Sequence, residues 1–72
     1  MNTAEYFLSL RTPYNKKNHA LYVRIANALI RNEIDTMEKL CLISEKQLSG
    51  IRDLGVKSIQ IILDECKKYT GI

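Results

Sequence analysis

Ile51-Arg52-Asp53-Leu54-Gly55-Val56-Lys57-Ser58 is the stretch that decides the fold: an apolar residue, a short polar step, then Leu-Gly running straight into a helical pattern. It reads as the hairpin of a helix-hairpin-helix. A tight reversal between two short helices calls for a residue that tolerates positive φ, and Gly55 supplies one without steric cost. The first backbone N–H groups of the following helix have no partner inside it and lie at the positive end of its dipole. Val56, Lys57 and Ser58 therefore offer amides, an ammonium and a hydroxyl together, which is a cradle for a phosphate. The same octapeptide also suits a plain compact turn with Lys57 in solvent, so its neighbours have to decide between the two.

Downstream, the last helix is expected to run to about Tyr69, with Ile59, Ile62, Leu63 and Cys66 as its buried stripe and Gly71 just beyond its end. Lys57, Ile61, Asp64 and Lys68 face outward on this reading, which leaves Ile61 exposed. Upstream, Ser44 and Gln47 have the spacing of a reciprocal capping box and open a short helix that carries Leu48 and Ile51 into the hairpin. Thr36 caps a helix over 37–42 with Met37, Leu40 and Cys41 inward. From His19 to Arg31, Tyr22, Val23, Ala26, Leu29 and Ile30 form a core face, while Arg24, Asn27 and Arg31 form the opposite stripe and Ile25 fits neither. Asn32 is expected to take the left-handed cap.

Asn2 and Glu5 suggest a short helix over 2–10, stopped before Pro13, followed by a polar loop at 14–18. Residues 1–18 thus read as an N-terminal arm or short helix and 19–72 as the domain proper. The predicted fold is all-α, a compact bundle of four to five short helices containing the helix-hairpin-helix.

Seventy-two residues leave room for one small domain, and the scarcity of proline and glycine favours helices over a disordered tail. A net charge of +3 permits an acidic partner without demanding one. Cys41 and Cys66 lie far apart in sequence at apolar helical positions and read as small buried hydrophobes, which points to a reducing, cytoplasmic home. No leader or membrane span is apparent. His19 is the only histidine and no carboxylates cluster around a partner, so no catalytic or metal-ligating residue is expected, nor a cofactor or small-molecule substrate. Tyr14, Tyr22 and Tyr69 read as packing residues.

The stretch Val23-Arg24-Ile25-Ala26-Asn27-Ala28-Leu29-Ile30-Arg31-Asn32-Glu33-Ile34-Asp35-Thr36, followed after two short helices by the hairpin octapeptide, resembles the C-terminal domain of the bacterial RNA polymerase α subunit. The shared features are an Arg-x-x-Asn helix start, an Ile-x-Thr step, a Ser/Thr-capped helix and Leu-Gly-x-Lys-Ser before the last helix. They extend over about 19–69. The resemblance implies a non-enzymatic module that binds A·T-rich minor groove. It places the groove-entering arginine on Arg24, the motif asparagine on Asn27, and the backbone-holding residues on Gly55, Lys57 and Ser58. The sequence departs from the family at Ile61, where a polar or acidic residue is common. It departs again at Asn18 and Ala20, where acidic residues contact the σ factor. The large assembly domain of the α subunit lies outside the 72 residues.

The leading expectation is a DNA-binding module acting in transcription or its regulation, with an A·T-rich duplex as partner and RNA polymerase or a transcription factor nearby. The alternative is a protein-interaction module that docks a transcription factor or polymerase subunit, with Ile25 and Ile61 as contact residues.

Overall fold

In the computed structural model, which describes residues 1–71, the protein begins with α1 (Thr3–Ser9), capped by the Asn2 side chain accepting from the Glu5 amide at 3.0 Å. This helix belongs to the core: Phe7 is fully buried, and Thr3 Oγ1 donates to the Ile34 carbonyl at 2.7 Å. The Thr3 amide donates to Asp35 O and the Met37 amide to Met1 O, so the first residues are stitched to the connection before α3 by an antiparallel bridge between Asn2 and Thr36. A 3₁₀ turn (Lys16–Asn18) leads directly into α2 (His19–Arg31).

The buried residues of α2 are Tyr22, Ile25, Ala26, Ala28 and Leu29, while Ile30 is 55% exposed. Sequence periodicity puts Ile30 in the core and leaves Ile25 unassigned; the structure reverses both. At 3.6 residues per turn the buried positions cover an arc of about 160° centred near Ile25, wider than one stripe. α1 packs along α2 and α5 also approaches it, and Ile30 falls outside the buried arc.

The helix closes in a Schellman motif: the Ile34 amide donates to Leu29 O and the Glu33 amide to Ile30 O. Asn32 sits at the C-cap with φ −99°, and Glu33 takes the left-handed position at φ 59°. The expected left-handed Asn32 is thus displaced by one residue. Asn32 instead spends its side chain on the Ala28 carbonyl, at 2.7 Å, which holds it in the last turn.

α3 (Met37–Leu40) is capped by Thr36 and stops short of the expected Leu42, which is exposed. α4 (Glu45–Ser49) opens on the full Ser44–Gln47 capping box. The reversal into α5 (Val56–Thr70) is made by turns in which the Ile51 amide donates to Leu48 O and the Leu54 amide to Ile51 O, with Leu48 and Leu54 buried. Gly55 is extended, at φ −84° and ψ 179°, and serves as the N-cap of α5. The expectation of positive φ there is corrected: the reversal is completed before Gly55 is reached. The left-handed glycine is Gly71, at φ 78°, closing α5.

α5 buries Ser58, Ile59 and Ile62, and keeps Leu63, Cys66 and also Ile61 half-buried against the core. Cys41 and Cys66 are free and half-buried, not enclosed as expected; burial and the neighbouring Cys41 thiol push Cys66 up to about 12.

A tyrosine clasp joins the ends of the molecule. Tyr6 meets the rings of Phe7 and Tyr69 edge-on, and its hydroxyl donates to Glu65 at 3.0 Å. Tyr69 donates to Glu38, whose carboxylate also takes the Met1 ammonium at 3.1 Å. The Tyr69 hydroxyl is the chief cause holding Glu38 down at about 2, against an ordinary 4.5. Its contribution to stability is complete above about pH 5 and is lost as pH falls toward 2. Burial and Glu65 push Tyr6 up to about 12 from 10.0, so its contribution is complete below pH 10 and is lost above it. The melting temperature is expected to be highest near neutral pH and to fall on both sides, with Glu38→Gln flattening the acid limb and also easing the alkaline limb through Tyr69, whose hydroxyl is pushed up chiefly by Glu38. An unaltered acid limb in that variant would remove Glu38 from this role.

Candidate nucleic-acid interface

Arg24, Asn27 and Arg31 lie one turn apart on the exposed side of α2, because every position between them and the core is taken by Ile25, Ala26, Ala28 and Leu29. Among the described residues Arg24 has no ion-pair partner, so its guanidinium is held by nothing but solvent. Arg31, two turns further on, donates from Nη2 to Asp53 Oδ2 at 3.1 Å. Asp53 belongs to the hairpin. This bond therefore ties the end of the arginine stripe to the reversal that leads into α5.

The N-terminus of α5 is bare. Its N-cap is Gly55, which has no side chain to offer, so the amides of the first turn have no local side-chain acceptor. Gly55, Val56 and Lys57 are exposed, Val56 by 81%. A Cβ added at Gly55 would meet nothing within 4 Å, which means that the space in front of this helix end is open. Lys57 stands beside it, also without an ion-pair partner among the described residues.

Ser58 is different. It is only 2% exposed and faces the core with Ile59 and Ile62, so the structure does not present its side chain alongside Lys57. Its backbone amide still belongs to the first turn. Four of the five sequence-predicted residues, Arg24, Asn27, Gly55 and Lys57, are thus exposed, and the fifth, Ser58, is buried.

Ile25 is fully buried and Ile61 half-buried, so of the apolar contact residues expected of the alternative reading only Ile61 reaches the surface, and that in part. Tyr22 is buried and Tyr69 is engaged in the clasp, while Tyr14 is 96% exposed. Sequence reasoning missed the Arg31–Asp53 pair; its one trace is the acid placed inside an otherwise cationic hairpin. No group of three or more His, Cys, Asp or Glu among the described residues is placed to hold a metal, and no described helix is long and apolar enough to cross a membrane.

Residues 20–68 match the family model for the C-terminal domain of the bacterial RNA polymerase alpha subunit. The protein is 43% identical over 58 residues to the DNA-directed RNA polymerase subunit alpha of a Mycoplasma species, an alignment covering 81% of the present sequence and 16% of that one. It is 39% identical over 49 residues to the DNA-directed RNA polymerase subunit alpha of Rubrobacter xylanophilus, covering 68% of the present sequence and 16% of that one. It therefore spans about a sixth of the length of these relatives. No solved structure matches it. The match runs from the start of α2 to the last turns of α5 and takes in both the arginine stripe and the hairpin: the protein belongs to the family of the C-terminal domain of the bacterial RNA polymerase α subunit.

Proposed function

We propose that this domain is a non-catalytic DNA-binding module that works with RNA polymerase or its regulators, inserting Arg24 into an A·T-rich minor groove while the hairpin holds the backbone. The observation that supports the reading is the Arg31–Asp53 bond at 3.1 Å, which joins the last residue of the arginine stripe to the hairpin that leads into the uncapped start of α5. A narrow A·T-rich groove has a deep negative potential that draws in a weakly hydrated, planar guanidinium. The amides of Val56 and Lys57 and the Lys57 ammonium suit a phosphate oxygen, fixing position without reading sequence. Ser58 supports this contact through its backbone amide. The relatives' role as RNA polymerase subunits makes the transcription apparatus the setting.

The test is a titration with A·T-rich and G·C-rich duplexes at two salt concentrations. With a net charge of +3 and a small footprint, a dissociation constant of about 10⁻⁴ to 10⁻⁶ M and a shallow salt slope are expected, tighter for A·T. Equal affinity for both duplexes would remove the groove-reading role. Such weak binding becomes useful when the domain is tethered to a second contact.

Gly55 separates fold from function. Alanine fits its extended backbone and meets no neighbour, so Gly55→Ala should change stability by less than about 1 kcal/mol, the loss of a good N-cap being offset by a stiffer unfolded state. The new methyl occupies the space in front of the bare amides, and DNA affinity should fall about tenfold, the cost of one lost bond to a charged group. Unchanged affinity would move the phosphate away from this helix end.

A further inference from the structure

The charge of the protein is split along its length. Residues 6–32 hold five arginines and lysines and no acid, whereas the remainder is net negative. Two of the five, Arg24 and Arg31, are on the stripe already described. Arg11, Lys16 and Lys17 stand on the connection between α1 and α2, exposed and without ion-pair partners among the described residues.

That connection is braced. Asn15 Oδ1 accepts from the Thr12 amide at 2.8 Å, and Asn15 Nδ2 donates to Leu10 O at 2.7 Å. His19 Nε2 lies 2.7 Å from Thr12 O and 3.0 Å from Asn15 Oδ1; both are acceptors, so this nitrogen carries the hydrogen and donates. The Tyr14 amide donates to Thr12 Oγ1, leaving the Tyr14 ring 96% exposed. A surface already ordered in this way loses little conformational freedom on meeting a ligand.

Its position follows from helical spacing. The 3₁₀ turn runs into α2 without a break, so Lys16 and Lys17 stand at the N-terminal end of the helix whose exposed side carries Arg24 and Arg31, seven residues and about 10 Å apart. The hairpin is tied to the Arg31 end and the braced loop stands at the Lys17 end. With Arg24 between them in a minor groove, the two ends are available to the sugar–phosphate backbone on either side of it.

We propose that residues 11–18 form a second DNA-backbone contact, in which Lys16, Lys17 and the Tyr14 hydroxyl hold phosphates across the groove from the hairpin. The inference rests on the DNA-binding reading above. Lysine, arginine, asparagine and tyrosine are the residues that hold phosphates, while lysine is depleted from the centres of protein–protein interfaces, so a duplex suits this surface better than a protein.

Lys16→Gln/Lys17→Gln, made in the whole 72-residue protein, tests it by titration with both duplexes between about 50 and 200 mM salt. The variant should bind both duplexes about tenfold more weakly at the low-salt end, with the A·T preference intact and the log–log salt slope lower by about 2. Lys67→Gln/Lys68→Gln, equal in charge but in the last turn of α5, should keep most of the affinity and slope. If the unaltered protein binds neither duplex, the DNA-binding reading falls and takes this contact with it. If the unaltered protein binds, but the Lys16/Lys17 variant matches it or the Lys67/Lys68 variant loses as much, the contact alone is overturned.

Discussion

Arg24→Ala is expected to leave the domain folded and to take away its DNA binding. The side chain is exposed and unpaired among the described residues, and it lies outside the buried arc of α2, so truncation removes no core packing and stability should stay within about 0.5 kcal/mol. Its loss from a groove should cost about 1–3 kcal/mol, roughly 5- to 150-fold. From a starting affinity no better than about 10⁻⁶ M, that carries the complex to the edge of detection. Arg24→Lys should recover only part of the loss, since an ammonium supplies the charge without the planar fork. Lys39→Ala is the control: Lys39 is on α3, paired with Asp35 at 3.0 Å, away from the stripe. Equal weakening of A·T-rich binding by Arg24→Ala and Lys39→Ala would leave only a generic positive surface.

Phe7→Ala is expected to unfold much of the population. Phe7 is fully buried in the single core cluster together with Ile25, Leu29 and Met37, and its ring is the largest side chain that α1 buries. Truncating such a phenylalanine costs about 3–5 kcal/mol, while a protein of this length has about 4–11 kcal/mol in total. Urea and thermal unfolding should show a melting temperature lower by at least about 12 °C. A loss under about 1 kcal/mol would mean that α1 merely rests on the other helices.

These two residues mark how far the sequence carries. Arg24 is legible because it depends on one helix alone: the spacing of Arg24, Asn27 and Arg31 is visible in the sequence, and so are the Ser44–Gln47 box and the Thr36 cap, whose partners lie three residues away. Phe7 can be assigned to a helix face but not to the common core, because that depends on α1 lying along α2. The same contact explains Ile25, which looks ambiguous on a single stripe and is buried because two neighbours widen the covered arc. Gly55 announces a special position without saying which kind. A glycine serves either for positive φ or for a bare, open N-cap, and only the backbone angles distinguish them. Glu33 carries the left-handed angle with no signal at all, since the Schellman bonds around it are main-chain. The Arg31–Asp53 bond, which links the arginine stripe to the hairpin, joins residues far apart in sequence and emerges only from the fold.

The claim that the arginine stripe and the hairpin act as one DNA-binding surface is tested most directly by following the backbone amides of the labelled protein during titration with an A·T-rich duplex. The largest shifts are expected at Arg24, Asn27 and residues 55–58, saturating together along one binding curve. Shifts confined to Ile59, Leu63 and the facing side of α4, or saturating separately for the stripe and the hairpin, would contradict it.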